Sequence, residues 1–135
     1  MTFVLDASVA ASWFLPDELN AVATEARSRI MRGGARAPGL WWYEIRNVLI
    51  TNERKNRLPA GAADIAASMI RKLPITLDHD PRELSILTLC RQHRLTVYDA
   101  AYLELALREA LPLATLDAAL ISAARAEGVR LLAQA

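Results

Sequence analysis

A three-layer α/β fold, a central parallel sheet covered by helices on both faces, is predicted by three features of this sequence. Short runs that are apolar on both sides alternate with longer helical patterns along the whole chain. Glycine and proline punctuate the alternation: Gly33, Gly34 and Gly128 stand where helices should stop, and Pro16, Pro59 and Pro81 where they should start. Acidic residues follow directly on several of the apolar runs, the position at which open α/β sheets gather their active sites.

The elements follow in order. Phe3 to Leu5 reads as a first strand, with helical sequence from there to Met31. Ala35 to Ala37 reads as a second strand, with a helix from about Leu40 to Asn56. A helix beginning near Pro59 ends before Pro74, Ile75 to Leu77 reads as a strand, and Pro81 to His93 as a helix. Thr96 and Val97 precede a helix from Asp99 to about Glu109. Leu113 and Ala114 precede one from Asp117 to Glu127, and Val129 to Leu132 closes the chain. About five strands are expected on this reading.

The chain has 135 residues, 53% hydrophobic and 23% charged, which suits one globular domain spanning residues 1–135. Every apolar run is broken by charge well short of the ~20 residues a membrane helix needs. The N-terminus, MTFVLDASVA, lacks the basic region and long apolar run of a signal peptide, and the single Cys90 cannot form an intramolecular disulfide. A soluble protein in the cytoplasm is the expectation. Sixteen Lys and Arg against fifteen Asp and Glu give a net charge of +1, so nucleic-acid binding would have to rest on a local patch. The run Arg54 to Arg57 is one such patch, although cations are equally at home at a helix C-terminus.

Three acids stand at strand ends: Asp6 after Phe3-Val4-Leu5, Asp99 after Thr96-Val97-Tyr98, and Asp117 after Ala114-Thr115-Leu116. Each is also a good helix N-cap, as Asp17 before Glu18 is expected to be, and one carboxylate can serve both purposes. Glu44 differs because it falls within a helix, on the shoulder of a stripe formed by Trp41, Ile45, Val48 and Leu49, with Asn47 one turn along. Should the fold bring all four together, their repulsion requires a cation. Oxygen donors of this kind suit Mg²⁺ or Mn²⁺. Other chemistries lack their parts. Cys90, His79 and His93 have no zinc-site spacing, and the histidines read as solvated surface. No phosphate loop or nucleophile elbow is present, and Ser8 has no nearby His. Ser8 and Thr115 read as hydrogen-bond donors supporting the acids.

These residues resemble the PIN domain, and specifically the VapC-like toxins of type II toxin-antitoxin systems. The likeness runs nearly end to end through FVLDAS around Asp6, YEIRNVL with Glu44 and Asn47, TVYDAAYLELA around Asp99, and TLDAAL with Thr115 and Asp117. The resemblance implies that Asp6, Glu44 and Asp99 bind Mg²⁺ or Mn²⁺ directly, that Asp117 reaches the metal through water, and that Asn47 and Thr115 support the site. It also implies hydrolysis of RNA by metal-activated water, a homodimer, and a small antitoxin that blocks the site. Arg46, Arg54, Lys55 and Arg57 are then candidate contacts to RNA phosphates.

Three other readings are weaker. A receiver-like phospho-acceptor module needs an adjacent acidic pair after the first strand and a Lys after the last, whereas Ala7 follows Asp6 and the last strand region holds Arg130. A haloacid-dehalogenase-like phosphatase needs a second Asp where Ser8 stands. A non-catalytic PIN-fold binding protein would have no use for the full set of acids.

Overall fold

The computed structural model describes every residue except Asp17, Leu19, Gln134 and Ala135. Its elements run β1 (Phe3–Leu5), α1 (Ala7–Ser12), α2 (Ala21–Gly33), β2 (Ala35–Pro38), α3 (Trp41–Arg54), α4 (Ala62–Arg71), β3 (Ile75–Asp78), α5 (Glu83–His93), α6 (Val97–Glu109), β4 (Leu113–Ala114) and α7 (Ala118–Ala126). The four strands form one sheet in the order β3-β2-β1-β4, and every pairing is parallel. Parallel neighbours need long crossovers, which the seven helices supply.

β1 lies inside the sheet and all three of its residues are fully buried, as a strand covered on both faces must be. From β1 the chain moves outward through β2 to β3, then crosses back to place β4 on the other side of β1. That reversal opens a crevice beyond the C-terminal ends of β1 and β4, the place where α/β sheets bind ligands. α6 packs against β1, β2 and β4. Its residues Ala100 to Ala106 are all buried, so a run that is apolar on every side, interrupted only by Tyr102 and Glu104, is what its position demands.

Four expectations change. Four strands form among the described residues instead of five, because the final segment is reduced to a single parallel bridge between Leu113 and Leu131. Thr96 and Val97 are not a strand. Arg94 ends α5 in the left-handed region at φ 53°, and Thr96 then caps α6, its hydroxyl accepting the Asp99 N–H at 3.1 Å. The helical sequence expected after β1 is broken between Ser12 and Ala21, and no helix starts at Pro16. Asn20 caps α2 by accepting the Ala23 N–H at 2.8 Å, and the cap expected of Asp17 lies outside the described residues. Finally, His93 is no solvated residue, since its Nε2 sits 2.7 Å from Glu127 Oε2 and the pair ties α5 to the end of α7. His79 is exposed as expected. Gly34 ends α2 at φ +71°, where an added Cβ would meet the Pro74 carbonyl at 2.9 Å.

Replacing the cap should cost what such caps cost. Asn20→Ala is expected to lower the unfolding free energy by about 1 kcal/mol in urea melts while Asn20→Asp changes it little. Equal losses in both variants would show that the amide's other contacts, to Ser12 and the Glu18 carbonyl, matter more.

Candidate metal centre

The fold gathers the acids at the sheet's C-terminal edge. Asp6 is the residue after β1 and is itself buried, with its backbone N–H bonded to the Ala114 carbonyl at 3.0 Å. Because Leu5 pairs with Ala114, the next residues along, Asp6 and Thr115, come level across the β1/β4 seam. The hydroxyls of Thr115 and Ser8 both donate to Asp6 Oδ2 at 2.7 Å. Each hydroxyl also accepts a backbone N–H from the loop after β4: Ser8 from Leu116 and Thr115 from Asp117, both at 3.1 Å. The two hydroxyls therefore do more than the support expected of them. They bind Asp6 to the loop that carries Asp117.

Asp117 caps α7, its Oδ2 accepting the Leu120 N–H at 2.8 Å. Glu44 lies in the first turn of α3, and its Oε1 accepts the Tyr102 hydroxyl at 2.5 Å. Asp99 lies in the first turn of α6. It is thus not the strand-end acid expected, but the helix start serves the same end.

Electrostatics shows the convergence. Burial pushes the Asp6 carboxyl above the usual range, opposed by its hydroxyl partners and reinforced by Asp117. Glu44 is raised by burial and by Asp6 and Asp99. Asp99 is raised by burial and by Asp117 and Asp6. Burial, Asp6 and Glu44 together hold the Tyr102 hydroxyl protonated, so it remains a donor. No Lys or Arg pairs with any of the four acids within 4 Å among the described residues.

The donor set fits a hard divalent cation. In Asp6, Glu44 and Asp117 the side-chain hydrogen bonds fall on one oxygen, and the other accepts none from a protein group outside its immediate backbone. Among the described residues, however, no three His, Cys, Asp or Glu close into a ready-made cage. Like charges hold one another apart, and Mg²⁺ asks for only one or two carboxylates while keeping its waters.

The other candidates lie elsewhere. Asn47 is exposed and shares a groove with Trp42, Tyr43 and Arg46, making no side-chain hydrogen bond to the acids. The Arg46 guanidinium lies 3.8 Å from the centre of the Trp42 ring, and burial and Arg71 lower its pKa. Arg54 is in the last turn of α3 and Lys55 is its C-cap, so the bland reading of this run accounts for their positions. They stand about 15 Å along the helix axis from Glu44. Arg57 bonds Asn52 Oδ1 at 3.0 Å.

Tyr102 was not among the candidates although it stands three residues after Asp99, a spacing that puts both on one side of α6. A second polar group was also missed. Glu104 and Asp78 both grip Arg108, and Arg36 joins Asp78 to Glu109, so that α6 is tied to β2 and β3. The signal was the Glu104/Arg108 pair, four residues apart within an apolar helix.

The PIN domain family model matches residues 3–126. The chain belongs to the PIN domain family. PIN domains are generally nucleases. Among solved structures, this PIN domain is similar to PAE2754 from Pyrobaculum aerophilum, with a TM-score of 0.71 and 24% identity over 91% of this chain and 84% of the other. It is also similar to VapC20 of Mycobacterium tuberculosis, a sarcin-ricin loop cleaving toxin, with a TM-score of 0.61 and 14% identity over 91% of this chain and 95% of the other. At these identities the likeness concerns the fold. None of the curated proteins matches in sequence.

The raised carboxyls set the sign of the pH dependence. A carboxyl whose folded pKa lies above its unfolded value stabilises the fold below the unfolded value, and that contribution is lost as pH rises through the folded value. The metal-free domain should therefore melt at a higher temperature in mildly acidic buffer than at neutral pH. Millimolar Mg²⁺ or Mn²⁺ should raise the neutral-pH melting temperature, and Glu44→Gln should raise it without metal. Melting curves indifferent to pH, metal and the substitution would mean that the acids do not act on one another.

Proposed function

We propose that this chain is a Mg²⁺- or Mn²⁺-dependent endoribonuclease and the toxin of a type II toxin-antitoxin pair. The observation that carries the reading is that Asp6, Glu44 and Asp99 are all raised at the crevice where β1 and β4 end, first by burial and then by neighbouring acids: Asp117 on Asp6 and Asp99, and Asp6 and Asp99 on Glu44. A site that repels itself in this way is built for a cation.

Each residue then has a part. Asp6, Glu44 and Asp99 hold the cation directly, and Asp117, whose carboxylate also caps α7, contributes through water. Thr115 and Ser8 fix which Asp6 oxygen faces the protein, and Tyr102 does the same for Glu44. A cation held there would supply positive charge against the scissile phosphate and lower the pKa of a water for hydrolysis. Membership of the PIN family and the fold shared with an RNA-cleaving toxin support RNA as substrate. A cognate antitoxin, a homodimer and a cytoplasmic place of action belong to the same reading. No helix among the described residues is long and apolar enough to cross a membrane. Arg54, Lys55 and Arg57 would touch phosphates well away from the scissile one.

The test is a cleavage assay with purified protein. Asp6→Asn and Asp99→Asn keep size, and an amide oxygen can still accept the Ser8 and Thr115 hydroxyls that Asp6 accepts, so the fold should survive, and activity should drop at least about 100-fold. Products should carry 5′-phosphate and 3′-hydroxyl ends, and chelator should stop the reaction until Mg²⁺ or Mn²⁺ is restored. Cyclic 2′,3′-phosphate ends, or undiminished cleavage in excess chelator, would overturn the mechanism.

A further inference from the structure

α3 carries a second set of side chains that the metal centre does not use. Trp42 and Tyr43 are both exposed, Tyr43 to 72%, and they meet edge to face with ring centroids 5.0 Å apart. Together with Arg46 and Asn47 they line one wall of a groove of about 580 Å³ whose other wall is α4, through Ala63, Asp64 and Ala67. Exposed aromatic rings on a protein of this size need a reason.

Helix geometry connects this groove to the acids. At about 100° per residue, Asn47 lies about 60° around α3 from Glu44 and Tyr43 about 100° in the same sense, with Arg46 and Trp42 beyond. The sequence of side chains around the first two turns is therefore carboxylate, amide, phenol, guanidinium, indole. Arg46 and Arg71 are close enough to act on one another as like charges, and neither makes an ion pair among the described residues. The guanidinium of Arg46 instead lies over the Trp42 ring, 3.8 Å from its centre, and donates to the Trp42 carbonyl at 3.0 Å. Stacked, unpaired cations next to exposed rings are the elements with which proteins hold single-stranded nucleic acid. Asp64 on the facing wall disfavours a phosphate deep in the groove, and with Asn47 it offers polar partners to a base edge.

We propose that Tyr43, Trp42, Arg46 and Asn47 form a subsite for an unpaired nucleobase of the RNA next to the scissile phosphate. The base stacks on the aromatic pair, its backbone runs past Arg46 and Arg71, and the Asn47 amide bonds its edge. The enzyme thereby selects RNA whose bases are splayed out, in loops or single strands, because a base held in a duplex has no face to offer. This rests on the ribonuclease reading of the adjoining acids and adds what kind of RNA they receive.

The experiment measures binding of a random-sequence single-stranded RNA pool, and of duplex RNA, to full-length Asp99→Asn protein, with and without Tyr43→Ala or Trp42→Ala. Cleavage by the same aromatic variants in an active background is followed alongside. Each aromatic variant should weaken single-strand binding by roughly 5- to 100-fold, leave the weaker duplex binding unchanged, and raise KM more than it lowers kcat. Tyr43→Phe should restore most of the loss. Sedimentation of the same variants reads whether the groove is instead covered by a second copy of the chain. Unchanged RNA affinity, or an altered oligomeric state with RNA affinity intact, would overturn the subsite while the nuclease reading stands. If the unsubstituted protein neither binds nor cuts RNA with Mg²⁺ or Mn²⁺, the ribonuclease reading fails and the subsite with it.

Discussion

The clasp of two hydroxyls on Asp6 Oδ2 is the contact on which this site depends. A carboxylate at the end of the innermost strand is buried by the fold itself and would be costly there without donors. Ser8 and Thr115 meet that cost, and because each also accepts an N–H from the loop after β4, they set the position of Asp117 in the same act. The seam between β1 and β4 is short, with only two pairs of residues in register, so this polar clasp extends it past the end of the sheet. The remaining acids arrive on helix starts, α3 for Glu44 and α6 for Asp99. Helix N-termini favour negative charge, which partly offsets the repulsion of four carboxylates.

α3 and α6 are divided along their lengths. The first turn of α3 presents Glu44 inward and the aromatic pair outward, while its last turn carries the basic residues that suit a helix C-terminus. α6 gives Asp99 and Tyr102 to the acidic crevice, and then Glu104 and Arg108 to an ion network with Asp78 that anchors it over β2 and β3. The network's charges are paired, and Arg108 holds the Asp78 carboxyl below the usual range. Asp6, Glu44 and Asp99 have no Lys or Arg partner among the described residues and are shifted the other way. Carboxylates within one small fold are thus treated in opposite ways, one set paired with arginines and the other held raised at the crevice.

Much of this was legible in the sequence because it is written locally. An apolar triplet with an acid directly behind it locates β1, the apolar pair Leu113 and Ala114 locates β4 with Asp117 three residues beyond, and Gly34 and Gly128 mark chain reversals at positive φ. The motifs also singled out the four acids and the two hydroxyls that the fold places along this edge. What the sequence hid depends on tertiary context. Thr96 and Val97 have strand-forming side chains, yet Thr96 is better used as a cap once α5 turns back at Arg94. Leu131 and Leu132 look like a strand, but they reach the sheet edge through a single bridge. Tyr102 was hidden within an apolar helix, where an aromatic residue usually means core, and only its hydroxyl's partner reveals its second role. The groove between α3 and α4 that Asn47 also lines could not be read locally, because its far wall comes from residues about 16 positions further on.

Site-resolved titration of the carboxyl groups by carbon NMR asks most directly whether the four acids form one cation-dependent unit. Convergence predicts that Asp6, Glu44 and Asp99 titrate above the usual carboxylate range in metal-free protein. It further predicts that Asp99→Asn lowers the Glu44 midpoint and that saturating Mg²⁺ brings all three down together. Ordinary midpoints for the three groups, insensitive to one another and to Mg²⁺, would contradict it.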